Sequence, residues 1–131
     1  MLKDRSQWYN EWQPIMRHLR DFETSYKKDS YCLFIAPKIH IDTLNTFWFS
    51  VKYEYQGKKQ KIVPISINQF VEVLEVLYKF KSNNKKFNHE HLKSLYDDIL
   101  DVDNFSSSLD WENNIPNKIK SWKTNILSDL F

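Results

Sequence analysis

One glycine (Gly57) and one cysteine (Cys32) occur in the 131 residues. The scarcity of glycine excludes Walker loops and dinucleotide fingerprints. Both need several glycines at fixed offsets so that backbone amides can approach phosphates. A lone cysteine excludes disulfide frameworks and cysteine-rich zinc sites. Cys32 lies inside an apolar run and is expected to be a buried, inert thiol that packs as a small hydrophobe. Long hydrophobic runs are also lacking. None reaches the roughly 20 residues that cross a bilayer, and the N-terminus has no signal-peptide pattern. Charge of one sign is lacking too: 19 Lys and Arg against 17 Asp and Glu leave a net +2, which permits nucleic acid as a partner without announcing it. The expectation is a soluble cytoplasmic protein with no membrane partner.

Aromatic residues, by contrast, are abundant. Five Trp, seven Tyr and nine Phe rule out a disordered chain, and the length suits a single domain over 1–131. Within it, 1–81 reads as an α/β core and 82–131 as a C-terminal helical extension.

The organising stretch is Tyr31 to Thr43. Its first six residues are apolar without alternation, which predicts a strand covered on both faces. Pro37 ends the pairing, and Asp42 or Thr43 is expected to cap the helix that follows. Upstream, Trp8, Trp12, Ile15, Leu19, Phe22 and Tyr26 repeat at steps of four and three, predicting an amphipathic helix with Pro14 at a kink or at its start. Downstream, Leu44, Phe47, Trp48, Val51 and Tyr55 predict a helix that Gly57 terminates in the left-handed capping position. Lys61 to Ile65 predicts a second strand. Ser66 and Gln69 have capping-box spacing ahead of a helix carrying Ile67, Phe70, Val71, Leu74, Leu77 and Tyr78. Strand, crossover helix and strand in this order imply a parallel pair. Lys81 to Lys86 reads as a polar loop, Asn88 opens another helix, Asp101 to Asn114 is irregular, and Pro116 opens the last helix. Ser106 to Ser108 offers a cap or a turn.

Candidate chemistry is sparse. His89 and His91 stand at i and i+2, on different sides of a helix, so the spacing fails the i, i+4 geometry of paired metal ligands. Asp97, Asp98, Asp101 and Asp103 are helix-surface and helix-end acids, not the strand-end carboxylates of a two-metal site. Lys38, His40 and Asp42 gather at the carboxyl end of the first strand, where ligands bind in open α/β sheets. His40 and Asp42 either orient a reacting group or simply belong to a loop and a helix cap. Arg17 and His18 are donors suited to phosphate oxygens, or else ordinary solvated surface.

Four strings taken together carry a resemblance. They are Trp12-x-Pro14-x-x-Arg17-His18-Leu19, the run from Leu33 to His40 followed by Asp42 and Thr43, Phe47-Trp48, and the run from Ile62 to Phe70. This set resembles the catalytic region of AlwI-type restriction endonucleases, Type IIS enzymes related to certain nicking endonucleases, over about Gln7 to Leu77. The resemblance implies a nuclease core of the PD-(D/E)xK type, in which a mixed sheet flanked by helices hydrolyses phosphodiesters of double-stranded DNA with Mg²⁺. It places Gln7 near the scissile phosphate, Arg17 and His18 on the helix beside the site, and Lys38 and His40 at the strand end facing it. All five are thereby expected to be DNA-binding residues.

The family's catalytic Asp and Glu lie on two strands ahead of the matched region, and this chain shows neither. Two parallel strands are few for a sheet, which points the same way. The fold expected is therefore α/β: a partial restriction-endonuclease-like core of short parallel strands flanked by helices, with extra C-terminal helices. The chain alone is expected to have no catalytic or metal-binding residues of its own and to be inactive. It would be completed by a missing N-terminal fragment, a second subunit or another copy of itself. The competing reading is a non-catalytic DNA-binding or assembly module built on the same scaffold.

Overall fold

In a computed structural model of the protein, the backbone is described for residues 5–28 and 30–130, and side chains over the same span except at 5, 6 and 8–13. The elements run α1 (Arg5–Tyr26), β1 (Tyr31–Ala36), α2 (Ile41–Lys52), β2 (Lys61–Ser66), α3 (Ile67–Ser82), α4 (His89–Leu100) and α5 (Ser108–Ser128). β1 and β2 pair in parallel, from Tyr31 opposite Lys61 to Ala36 opposite Ser66, with α2 as the crossover. The chain is thus α/β, a two-stranded parallel sheet accompanied by helices. Each strand has one edge without a strand partner among the described residues.

Burial differs between the strands. Ile62, Val63, Pro64 and Ile65 are all buried, and β2 touches α2, α3 and α4. In β1 only Phe34 and Ala36 are buried, while Cys32, Leu33 and Ile35 are half-buried. β1, expected to be covered on both faces, is only partly covered, and β2 is the more deeply buried strand. Phe34 meets the Phe47 ring of α2 edge-on, with centroids 5.1 Å apart. Burial still pushes the Cys32 thiol above its ordinary value, which disfavours the reactive thiolate. Pro64 pairs with Phe34 on a strand that is an edge, where a missing N–H breaks no second ladder.

Helix α1 runs unbroken past Pro14. Met16, Leu19 and Glu23 are its buried residues beyond the proline, whereas Phe22 and Tyr26 are exposed and stack on each other at 4.5 Å. Periodicity had placed those two rings inward. They are instead displaced by a polar tie: Glu23 accepts from the Ser30 amide at 3.2 Å, and Arg20 donates to the carbonyls of Tyr55 and Lys58 at 2.6 and 2.8 Å. The expected inward Trp8 and Trp12 lie outside the described side chains.

Arg20 grips a turn that was expected to be a helix cap. α2 ends at Lys52, and Gly57 sits four residues past its Tyr53 cap position. Gln56 and Gly57 both have positive φ (52° and 82°) between Tyr55 and Lys58, whose backbones bond to each other. Two consecutive left-handed residues make a tight reversal of the primed type. A side chain at Gly57 would meet nothing within 4 Å, so Gly57→Ala tests conformation alone. It is expected to cost about 1 kcal/mol in urea denaturation, the left-handed penalty of a residue with a Cβ.

The Ser66–Gln69 capping box forms as spaced: Ser66 Oγ accepts from the Gln69 amide at 3.1 Å, and Gln69 Oε1 from the Ser66 amide at 2.9 Å. The inward face of α3 is nevertheless turned from the one expected. Val73, Val76 and Phe80 are buried, while Val71, Leu74 and Tyr78 are exposed. α5 begins eight residues before Pro116, capped by Ser107, whose Oγ accepts from the Asp110 amide at 3.1 Å. Pro116 is therefore inside the helix and leaves the Glu112 carbonyl without its i+4 donor.

The last two helices share the core with the strands. One hydrophobic cluster contains Leu19, Phe34, Val63, Ile99, Trp111 and Ile126. Trp111 Nε1 donates to the Ile99 carbonyl at 2.9 Å and Trp122 Nε1 to the His91 carbonyl at 2.8 Å, tying α5 to α4. No helix among the described residues is long and apolar enough to cross a membrane.

Candidate functional site

Because the strands run parallel and in register, Ala36 and Ser66 end side by side. Beyond them lies a cavity of about 190 Å³ lined by Pro37, Lys38, Ile39, Ser66, Gln69 and Glu112, among others. This is the position at which open parallel sheets bind ligands. Glu112 comes from α5.

The loop between β1 and α2 is held from behind by Gln7, whose residue exposure is 0%. Its Nε2 donates to the Lys38 carbonyl at 2.9 Å and its Oε1 accepts from the His40 amide at 2.8 Å. One primary amide thus satisfies both faces of the loop as a neighbouring strand would. The resemblance implied direct DNA contact by Gln7. Here it is buried and bonded to the backbone of Lys38 and His40.

His40 is the N-cap of α2. Its Nδ1 accepts from the Asp42 amide at 3.1 Å, so in the neutral ring the proton is carried on Nε2. The cap was expected at Asp42 or Thr43. Asp42 occupies the first turn instead, where a carboxylate meets the positive end of the helix, and its Oδ2 lies 3.7 Å from His40 Nδ1. Lys38 is exposed beside them. The three residues that sequence placed at the strand end are therefore together there.

Arg17 and His18 are not part of that cluster. Both are exposed on α1, ten and eleven residues beyond Gln7, about 15–17 Å along a helix axis. They present a second, separate set of donors.

Thr43 is wholly buried, and its hydroxyl has no partner among the described residues. An unsatisfied buried hydroxyl is a liability that an isosteric methyl removes. Thr43→Val is expected to leave thermal stability unchanged or raise it by up to about 1 kcal/mol.

Sequence reading missed Glu112. Burial pushes its carboxyl above its ordinary value, and the Lys38 ammonium pulls it partly back. No local pattern marks it, because the contact depends on α5 folding back over the strand ends. Mg²⁺ needs hard, negatively charged oxygen donors, usually one or two carboxylates with substrate phosphate. The cavity offers one, opposed by a lysine, and no group of three His, Cys, Asp or Glu that would hold a metal occurs among the described residues. This donor set does not fit the dication. The His89-Glu90-His91 triplet fits no better: His89 is exposed, and His91 Nδ1 accepts from the Asn88 amide at 3.2 Å in a capping box.

The strand end offers donors to an anion, set against the Glu112 carboxylate in the same cavity. It combines a lysine, an imidazole N–H and the Ser66 and Gln69 side chains at the start of α3, on a loop fixed from behind. Compared with curated proteins, the chain shows no match. Residues 1–73 match the family model of the AlwI restriction endonuclease, a span that includes α1, both strands, α2 and the whole strand-end loop. The chain belongs to the AlwI restriction endonuclease family.

Proposed function

We propose that this chain is the C-terminal part of a PD-(D/E)xK-type nuclease domain from a Type IIS restriction endonuclease, and that its strand end binds the phosphate backbone of double-stranded DNA. The observation that carries the reading is the coincidence of the family match with the Gln7-braced loop bearing Lys38 and His40. Lys38 supplies a point charge and His40 an Nε2–H to phosphate oxygens, contacts that give affinity and register without reading sequence. Arg17 and His18 add a second backbone contact from α1. Gln7 acts through the loop.

In the complete enzyme, Mg²⁺ supplies the chemistry of phosphodiester hydrolysis. The residues at this strand end do not fit the ion, so its carboxylates come from outside the described residues, from a further segment, a second subunit or another copy. The unpaired strand edges of the two-stranded sheet support that reading, since such edges accept strands. The chain alone is then inactive. The second reading, a DNA-binding or assembly module with no cleavage partner, is favoured by the same misfit of Mg²⁺ to the cavity.

The test is binding and cleavage by the purified chain. Duplex affinity is expected to fall steeply with salt, with no cleavage in Mg²⁺, and Lys38→Gln weakens binding and lowers the salt slope by about 1. Absence of salt-dependent binding would remove the DNA reading, and cleavage by the chain alone would remove the inactivity.

Glu112 gives a linked result. A carboxyl raised above its unfolded value means that the folded state holds the proton more tightly. Its stabilising contribution is full below the ordinary glutamate range and is lost as pH rises through the raised value. Glu112→Gln should abolish that part of the decline in the denaturation midpoint. Removing the charge beside Lys38 should also raise duplex affinity about two- to fivefold, the scale of a partly exposed pair.

A further inference from the structure

The end of α3 and the loop that follows it have a property that the strand-end site does not use. From Val76 to His89 there are four lysines, Lys79, Lys81, Lys85 and Lys86, and no Asp or Glu. All four are exposed, and none forms an ion pair with a described residue. Three of them, Lys81, Lys85 and Lys86, rim an open groove of about 520 Å³ whose apolar floor is Leu77, Tyr78 and Phe87. Asn84 also lines it, and no carboxylate does.

The bland explanation is that lysines collect at a helix C-terminus to meet its free carbonyls. Three of the last four, those of Lys79, Phe80 and Lys81, are already met. The Asn83 amide bonds to the carbonyls of Lys79 and Phe80 at 3.1 and 3.2 Å, and its side chain donates to Lys79 at 2.8 Å. The Asn84 amide reaches the Lys81 carbonyl at 3.1 Å and the Lys85 amide the Phe80 carbonyl at 2.9 Å, with Asn84 in the left-handed region at φ 53°. The loop is pinned by its own backbone, so the ammonium groups remain available. Tyr78, 72% exposed, presents a phenolic O–H among them.

We propose that this lysine-rimmed groove is a second binding site for the phosphate backbone of duplex DNA, flanking the strand-end site. The proposal rests on the reading that DNA is what this chain binds, but on different side chains. α3 begins at the strand-end cavity with Ser66 as its cap and ends at the groove; its 16 residues span about 24 Å, the length of about seven base pairs. That separation is within the length of a single short duplex. The groove lies beyond residues 1–73, outside the span that the family model matches.

The experiment is fluorescence anisotropy of a labelled duplex of about two helical turns, titrated with the full chain over a range of salt. Replacing Lys81, Lys85 and Lys86 together by Gln is expected to weaken binding at least about tenfold and reduce the log–log salt slope by about 2 to 3. The triple Arg variant, which keeps the charge, should bind as wild type and shows that the loop tolerates substitution. Lys38→Gln in parallel separates the two sites. If it weakens binding while the triple Gln variant does not, the groove proposal is overturned and the strand-end reading stands. If only the triple variant weakens binding, the groove stands and the strand-end reading falls. Tighter binding of polyglutamate than of duplex through the same lysines would assign the groove to an acidic protein and overturn its assignment to DNA.

Discussion

Gln7→Ala is expected to destabilise the folded chain by about 2–4 kcal/mol, because it strands a backbone acceptor at Lys38 and a donor at His40 that are partly shielded from water. The size of the effect comes from asymmetry: making a hydrogen bond stabilises modestly, whereas leaving its buried partner unmet costs the full desolvation of that group. Gln7→Glu is the informative companion. It keeps an acceptor for the His40 amide but removes the donor to the Lys38 carbonyl and sets a carboxylate against it. It too should destabilise, despite nearly identical shape. Urea denaturation measures both. Duplex binding under conditions where both variants are folded should also weaken, since Lys38 and His40 lose their fixed spacing. A stability loss under about 0.5 kcal/mol, the range of ordinary surface substitutions, would mean that the loop holds its shape without Gln7.

Trp111→Ala is expected to cost about 3–5 kcal/mol, the range for deleting a buried large aromatic. Trp111 has 0% exposure, packs against Trp48 of α2 with ring centroids 5.6 Å apart, and bonds to the Ile99 carbonyl. It thus joins α2, α4 and α5, and its loss should be felt by the whole chain. Wild-type unfolding followed by circular dichroism and by tryptophan fluorescence should coincide in one transition, and the variant should shift that transition as a unit. Trp111→Phe, which keeps a ring but leaves the Ile99 carbonyl unmet, should fall between, at about 1–3 kcal/mol. Two separate wild-type transitions, only one of them sensitive to Trp111, would show that residues 82–131 fold independently of the strands. The consequence for function is direct: α5 carries Glu112 to the strand ends, so the cavity exists only when the C-terminal helices are folded against the sheet.

The parts legible in the sequence were those decided by local chemistry. The two strands, their parallel order and the Ser66–Gln69 capping box follow from apolar runs, a proline stop and a three-residue spacing, and all are present. The inward faces of helices were harder. α3 carries apolar residues on two sides, Val73, Val76 and Phe80 on one and Val71, Leu74 and Tyr78 on another. Periodicity identifies a helix from either set and cannot say which one the strands cover. In α1 Arg20 reaches the distant 55–58 turn and also pairs with Glu23, so a buried glutamate and a solvent-facing Phe22 could not be read from periodicity. Pro116 misled for a related reason: proline favours the first turn of a helix, but α5 is anchored by Trp111 and Ile115 and tolerates one lost backbone bond within it.

At the site, Lys38, His40 and Asp42 were legible because three polar residues followed a strand that a proline had ended. What they do locally was not. His40 rather than Asp42 caps α2, since its imidazole nitrogen reaches the Asp42 amide. Gln7 was legible only through family resemblance, and its burial and its bonds to the loop backbone had no local sign. Glu112 and the lysine groove lie outside the resembling strings, and it is the chain's return over the strand ends that brings Glu112 to Lys38.

The most direct test of the central claim is to titrate duplex DNA into the isotope-labelled full chain and follow backbone amide shifts residue by residue. Binding at the strand end should concentrate the salt-sensitive shifts in 37–43 and at the start of α3 around Ser66, with Mg²⁺ neither required nor leading to cleavage. Shifts confined to other surfaces, with 37–43 unmoved at saturation, would contradict it.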